Sequence, residues 1–308
     1  MRSTLATFAI AVGGAVAMLG PLGCHGAPTS SGGATAASDA ATSLAADAAH
    51  AGPVNELPIP KDQVDSTVNP EHLPAYHGPT GVVEGRLWVT GDAAPPLMGK
   101  NFDKCPAAAE VYSKTFREGP ADAQGRRPLA DAIVGVTGYS GFYIPEQKPS
   151  KLLTIANCAY SARTVDMTFG QALEVKNDNA GPMFAPTFEN QADPALMVAT
   201  PNGDPVRLYA RAPGRYRLID RAGHSWLEAD VYVLYQPLHA VTDLAGHFRI
   251  EGVPVGKLKI GVQHPAIDKQ IQQDIEVKDG VVSEVELTLP NVKPAPRPPS
   301  RNLKPIIP

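Results

Sequence analysis

Along most of the chain, apolar and polar positions alternate in short runs bounded by glycine, proline or Asn-Asp pairs. Such runs predict strands, because successive side chains of a strand point to opposite faces. The clearest case is residues 281–289, where Val285, Leu287 and Leu289 alternate with Glu284, Glu286 and Thr288. One face of that strand is expected to be buried and the other wet. Residues 271–277 precede it across Lys278-Asp279-Gly280, and Asp-Gly suits the positive φ of a tight turn, so the two runs are predicted to form a β-hairpin. The β-branched and aromatic run 230–235 predicts a buried strand. Shorter strands are expected over 81–89, 132–136, 152–156, 172–175, 207–209 and 216–219. Residues 106–116 are the one stretch that predicts a helix of any length, with Pro106 suited to a first position that needs no N–H. Many short strands separated by turn signals predict an all-β sandwich architecture. The 28 glycines and 31 prolines among 308 residues agree with it.

The two ends have a different pattern. Met1-Arg2 is followed by an apolar run from Leu5 to Leu22 and then Gly23-Cys24. A basic start, a short apolar segment and a small residue before the break describe a secretory signal over residues 1–23. The segment from Leu19 to Cys24 also resembles a bacterial lipobox, although Pro21 stands where leucine is usual. That resemblance implies lipidation at Cys24 and a membrane held through acyl chains, each buried CH₂ contributing about 0.8 kcal/mol. An ordinary cleaved signal and an uncleaved anchor remain alternatives. With His25 rather than aspartate after Cys24, the resemblance to lipoprotein sorting rules favours the outer membrane, on the periplasmic or cell-surface side. Residues 24–80 are expected to form a tether, Ala/Ser/Gly-rich and flexible to 52, then Pro-rich and extended. Residues 291–308 carry six prolines with Lys293, Arg297, Arg301 and Lys304, and predict a basic, disordered Pro-rich tail.

The formal charge of -4 gives no reason to expect a nucleic-acid partner. Three cysteines are present, Cys24, Cys105 and Cys158. If Cys24 carries lipid, an oxidising compartment makes a Cys105–Cys158 disulfide the simplest reading, with two separate buried thiols as the alternative. No Cys-x-x-Cys spacing suggests a redox or structural metal site.

Two family resemblances interlock in the middle of the chain. Residues 81–89, the Pro128 to Val134 stretch, Thr242-Asp243-Leu244-Ala245-Gly246-His247-Phe248 and Val253-Pro254-Val255-Gly256 resemble a carboxypeptidase regulatory-like, or transthyretin-like, sandwich. In its turn Asp243 can cap, Gly246 can supply the unusual backbone angle and Phe248 can re-enter the core. Asn157-Cys158-Ala159-Tyr160, Gly170, Asn177-Asp178, Pro213-Gly214-Arg215-Tyr216 and His224-Ser225-Trp226-Leu227 resemble a plastocyanin-like (cupredoxin) domain, in secreted proteins of a joint type annotated near methylamine utilisation. These resemblances imply a transthyretin-like sandwich over 81–150 and 238–290 with a cupredoxin-like sandwich inserted over 151–237. They also imply the same Cys105–Cys158 pairing. A type 1 copper site needs two histidines, a thiolate and usually a methionine. By the resemblance these fall near Met183, near Ile219, at His224 and at Leu227, so His224 alone survives and the shell is expected without its metal.

His224, beside Trp226, is the leading local candidate, either as a metal ligand or as a ring bonded to a backbone carbonyl. His239, His247 and His264 are expected on exposed turns, and a copper site joining His224 to His239 or His264 with Met183 or Met197 is the sharper alternative. Tyr209, Tyr216, Trp226, Tyr232 and Tyr235 are expected in the core. The sequence carries no His-Glu-x-x-His, Gly-x-Ser-x-Gly, phosphate loop or Gly-x-Gly-x-x-Gly pattern, and no carboxylate pair can be nominated. The expectation is a lipid-anchored, non-catalytic envelope protein that binds or scaffolds another envelope protein and has no cofactor. A copper-binding or electron-transfer protein and a carbohydrate-binding accessory module are the alternatives.

Overall fold

The structure is a computed structural model that describes residues 58–191 and 196–292. The expected signal peptide, Cys24, the first part of the tether and the tail from residue 293 onward lie outside the described residues. The described chain is all-β, with strands β1 to β16 and two short helices.

Eight strands build one sandwich. In its first sheet β1 (Thr80–Gly91) is central, with β16 (Val282–Asn291) parallel along one side and β13 (His247–Pro254) and β2 (Arg127–Pro128) antiparallel along the other. The facing sheet runs β12 (His239–Val241), β3 (Ile133–Thr137), β14 (Gly256–His264) and β15 (Ile267–Val277). Val83, Leu87, Val134, Ile250, Ile260 and Leu287 meet in the core between them. Gly85 lets β16 approach β1, since a Cβ there would stand 1.9 Å from the Val285 carbonyl oxygen. The Asp243 carboxylate accepts the Ala245 and His247 N–H groups at 2.8 Å, Gly246 has φ +76, and Phe248 is buried, which is how the chain turns into β13.

The second sandwich occupies the connection between β3 and β12, which are neighbours in one sheet. One sheet runs β6 (Thr164–Thr168), β11 (Glu228–Leu234), β10 (Gly214–Asp220) and β8 (Pro186–Phe188). The other runs β5 (Ala159–Tyr160), β4 (Ser150–Ala156), β7 (Ala172–Asn177) and β9 (Val206–Leu208). Leu153, Ile155, Val165, Met167, Leu173, Phe188 and Leu218 fill its core.

Three expectations are corrected. Residues 271–289 do not form a hairpin, because β15 bonds to β14 while β16 runs beside β1 in the opposite sheet. The Gly280 turn, at φ +63, passes between layers, so that Val277 on β15 and Val285 on β16 enter the same core from opposite sides. The helix expected over 106–116 is the five-residue α2 (Ala108–Tyr112). Beyond it Leu97 donates to the Ser113 carbonyl and Thr115 to the Pro95 carbonyl, a pairing that ends the helix. The stretch expected to be extended contains α1 (Lys61–Val68), free of proline between Pro60 and Pro70. Ile59, Val64 and Val68 pack against the second core, and that packing outweighs the stiffness of the flanking prolines.

Candidate functional site

β10 delivers Asp220 to one end of the second sandwich with its side chain fully buried. That carboxylate accepts the His224 backbone N–H at 3.0 Å and stands 2.7 Å from His224 Nδ1, and it also takes the Ala185 N–H. The His224 ring packs against Phe184, with centroids 4.7 Å apart, and against Trp226 at 5.4 Å. Trp226 Nε1 donates to the Cys158 carbonyl at 3.1 Å, and Cys158 is joined to Cys105 by a disulfide. The backbone-carbonyl partner expected for His224 is therefore replaced by a carboxylate. The missed residue is Asp220, and its signal was an aspartate at a strand end, four residues before the histidine.

The other histidines have separate partners. His239 and His264 are buried rather than exposed on turns, because the two sandwiches close over them. His239 Nδ1 lies 2.8 Å from Asp166 Oδ2, His264 Nδ1 accepts the Ala266 N–H at 3.0 Å, and the His247 ring meets Arg86. Met197 is core and Met183 is exposed. Among the described residues, no three His, Cys, Asp or Glu side chains gather to hold a metal ion. Of the aromatic group, Trp226 and Tyr232 are buried and Tyr209 and Tyr216 partly so, but Tyr235 is 60% exposed at the end of β11, where the chain leaves the core.

An open cleft of about 950 Å³ lies between the sandwiches. Its floor is the outer face of the β13–β1–β16 sheet, carrying Glu84, Arg86, Arg249, Glu284 and Glu286. Its wall comes from β4, β6 and β12, with Lys151, Leu152, Asp166 and His239. Arg249 pairs with Glu84 and with Glu251, and Arg126 reaches Glu286 at 3.3 Å. At the inner end, Lys151 Nζ stands 2.5 Å from Asp166 Oδ1. Burial alone would raise the Asp166 carboxyl, but His239 and Lys151 outweigh it and hold the group below the usual carboxylate range.

Thr168 Oγ1 lies 3.2 Å from His239 Nε2, so threonine, histidine and aspartate stand in the order of a hydrolytic relay. Thr168 is buried, however, and donates its hydroxyl proton to Glu146 Oε2 at 2.6 Å. Spent in that way, the hydroxyl has no open side for a substrate carbonyl, and the group ties β6 to β12 and to the Glu146 loop.

No protein-family model matches this sequence, and no curated protein matches it. Among solved structures, a copper-containing nitrite reductase from Thermus scotoductus is 15% identical over 32% of this chain and 25% of its own, with a TM-score of 0.24. The chain thus spans a quarter of that enzyme's length. A reduced single-substitution variant of amicyanin is 15% identical over 29% of this chain and 86% of its own, with a TM-score of 0.25. Another reduced amicyanin variant is 16% identical over 32% and 99%, with a TM-score of 0.24.

The residues present do not fit a type 1 copper centre. His224 Nδ1 is taken by Asp220, both described cysteines are in the disulfide, and Leu227 has no donor atom.

Proposed function

We propose that the protein is a non-catalytic envelope protein, lipid-anchored at Cys24, that binds another envelope protein in the cleft between its sandwiches. The signal and lipobox pattern supports export and anchoring, and the residues quoted for the transthyretin-like and cupredoxin-like families support a regulatory-type sandwich carrying a binding insert. The observation that carries the binding reading is the cleft itself. It offers charges of both signs in rows on the floor and an apolar side chain, Leu152, 57% exposed on the wall. Paired charges beside an exposed leucine suit a peptide segment, whose polar atoms the rows can meet while its apolar side chains cover Leu152.

The test places a photo-crosslinking residue at Leu152 in the full-length protein in its own membrane, with Met98, 86% exposed and outside the cleft, as control. A discrete protein adduct at Leu152 and none at Met98 is expected. Retention on envelope polysaccharide with no protein adduct would replace the reading by a carbohydrate-binding one. Near-stoichiometric copper, lost in His224→Ala, would replace it by a copper-binding one.

A further inference from the structure

Strand β4, in the wall of the cleft, has one edge that its neighbours cover only in part. The carbonyls of Pro149 and Ile155 accept the Ala172 and Asp178 N–H groups at 3.0 and 2.9 Å, so the odd-numbered residues of β4 turn their main-chain groups to β7. Alternation along the strand turns those of the even-numbered residues the other way. Thr154 is met on that side, since its carbonyl accepts the Ser161 N–H at 2.8 Å and its own N–H reaches Ser161 Oγ at 3.3 Å. β5 pairs with Ile155 and Ala156 alone, and after Ser161 the chain passes into β6 of the opposite sheet. The next outward-turned residue is Leu152. Among the described residues no strand pairs with it on this side, so its N–H and C=O open into the cleft, which Leu152, Ser161 and Ala162 line together.

A free strand edge is ordinarily blunted by a charge, a proline or a covering loop. Lys151, the charged neighbour, is drawn to Asp166 across the sandwich and does not guard the gap. The residue at the gap is instead an exposed leucine. On the cleft floor, Arg86 meets the His247 ring and has no carboxylate partner among the described residues, and Glu284 has no cation there. The opening thus offers one main-chain donor, one main-chain acceptor, an apolar side chain and a free charge of each sign.

Building on the docking proposed above, we propose that the cleft takes its partner by strand addition: an extended segment of another envelope protein lies along β4, in line with β5, and exchanges both main-chain hydrogen bonds with Leu152. Strand addition draws its affinity from main-chain bonds and its selectivity from the side chains that alternate along the added strand. An apolar side chain opposite Leu152 covers it on the same face, and flanking acidic and basic side chains meet Arg86 and Glu284.

Leu152→Pro deletes the N–H that faces the cleft and leaves the ladder to β7 whole, because Leu152 gives that ladder no N–H. Leu152→Ala removes the side chain and keeps the N–H. Each is combined with a photo-crosslinking residue at Lys148, exposed in the cleft lining, in the full-length protein in its own membrane. With both variants folded by circular dichroism, the proline variant should give roughly fivefold less protein adduct than the alanine variant, or lower still. Equal adducts would overturn strand addition and leave the docking reading standing. No protein adduct from Lys148 or Leu152, even without the Pro and Ala changes, would overturn both. An adduct joining two copies of this chain would overturn the proposal by making the occupant a second copy. The purified protein supplies a measurement that needs no partner and no substitution: amide hydrogen exchange should be fast at Leu152 and slow at Leu153, whose N–H faces β7. A protected Leu152 amide would show the edge to be closed, and the proposal would fall.

Discussion

Acidification should destabilise the fold through His264 before the carboxylates titrate. Burial pushes this imidazole down from 6.5 to about 4, with Arg163 and Arg215 acting in the same direction and Asp131 and the Ala130 carbonyl opposing them. Because the native pKa is the lower one, the unfolded chain takes up the proton more readily. The stabilising term is therefore complete above the unfolded value and is lost as pH falls towards the folded one. A displacement of that size corresponds to roughly 3 kcal/mol, most of it gone by about pH 4.5. The assay is urea unfolding at several pH values, comparing the wild type with His264→Gln. Between about pH 7.5 and about pH 4.5 the wild type should lose roughly 2–3 kcal/mol more than the variant, with unchanged m-values. Groups common to both proteins cancel in that difference. Parallel pH curves for the two proteins would show that the imidazole is not held neutral by burial, and the reasoning would fail.

Further outcomes rest on single features. Replacing both disulfide cysteines, Cys105→Ser with Cys158→Ser, opens a loop of 53 residues and should cost about 4 kcal/mol in urea unfolding. Asp166→Ala leaves the buried His239 ring without its carboxylate, while Lys151, 43% exposed, turns to solvent, and should cost about 2–3 kcal/mol in the same assay. Gly246→Ala places a Cβ 2.4 Å from the Leu87 carbonyl oxygen at φ +76 and should lower stability by about 1–3 kcal/mol, visible as a reduced melting temperature.

The fold was legible where the pattern was local. Alternation over Val285, Leu287 and Leu289 located β16 and its buried face, and Asp243 with Gly246 located the turn before Phe248. The pairing of β16 was not legible, because alternation fixes which face is apolar and not which neighbour supplies the hydrogen bonds. For the same reason Thr164, Asp166 and Thr168 escaped notice. On β6 they alternate with Val165 and Met167 and so resemble the wet face of an ordinary strand, yet the other sandwich covers them. His224 stood out beside Trp226, but its partner depended on how far β10 carries Asp220 into the interior.

The seam formed by β6 leads to a further prediction. Its inner residues, Val165 and Met167, belong to the second core, while Asp166 and Thr168 bind His239 across to the first sandwich, Lys151 on β4 of their own, and Glu146 in the loop that joins the two. An apolar seam of the same volume would avoid the desolvation of those charges, and buried ion pairs replaced by apolar residues are often neutral or stabilising by about 1–4 kcal/mol. A polar seam offers direction instead, since hydrogen bonds of fixed geometry hold one sandwich at one angle to the other and thereby set the width of the cleft. The triple variant Lys151→Met, Asp166→Leu, His239→Leu separates these two contributions. It should unfold within about 1 kcal/mol of the wild type, or above it, while the protein adduct formed through Leu152 falls several-fold. If both stability and crosslinking survive, the charges do not set the cleft. If stability falls by the roughly 2–3 kcal/mol expected of Asp166→Ala alone, or by more, the network is needed for folding itself, and the seam's polarity is not there for orientation.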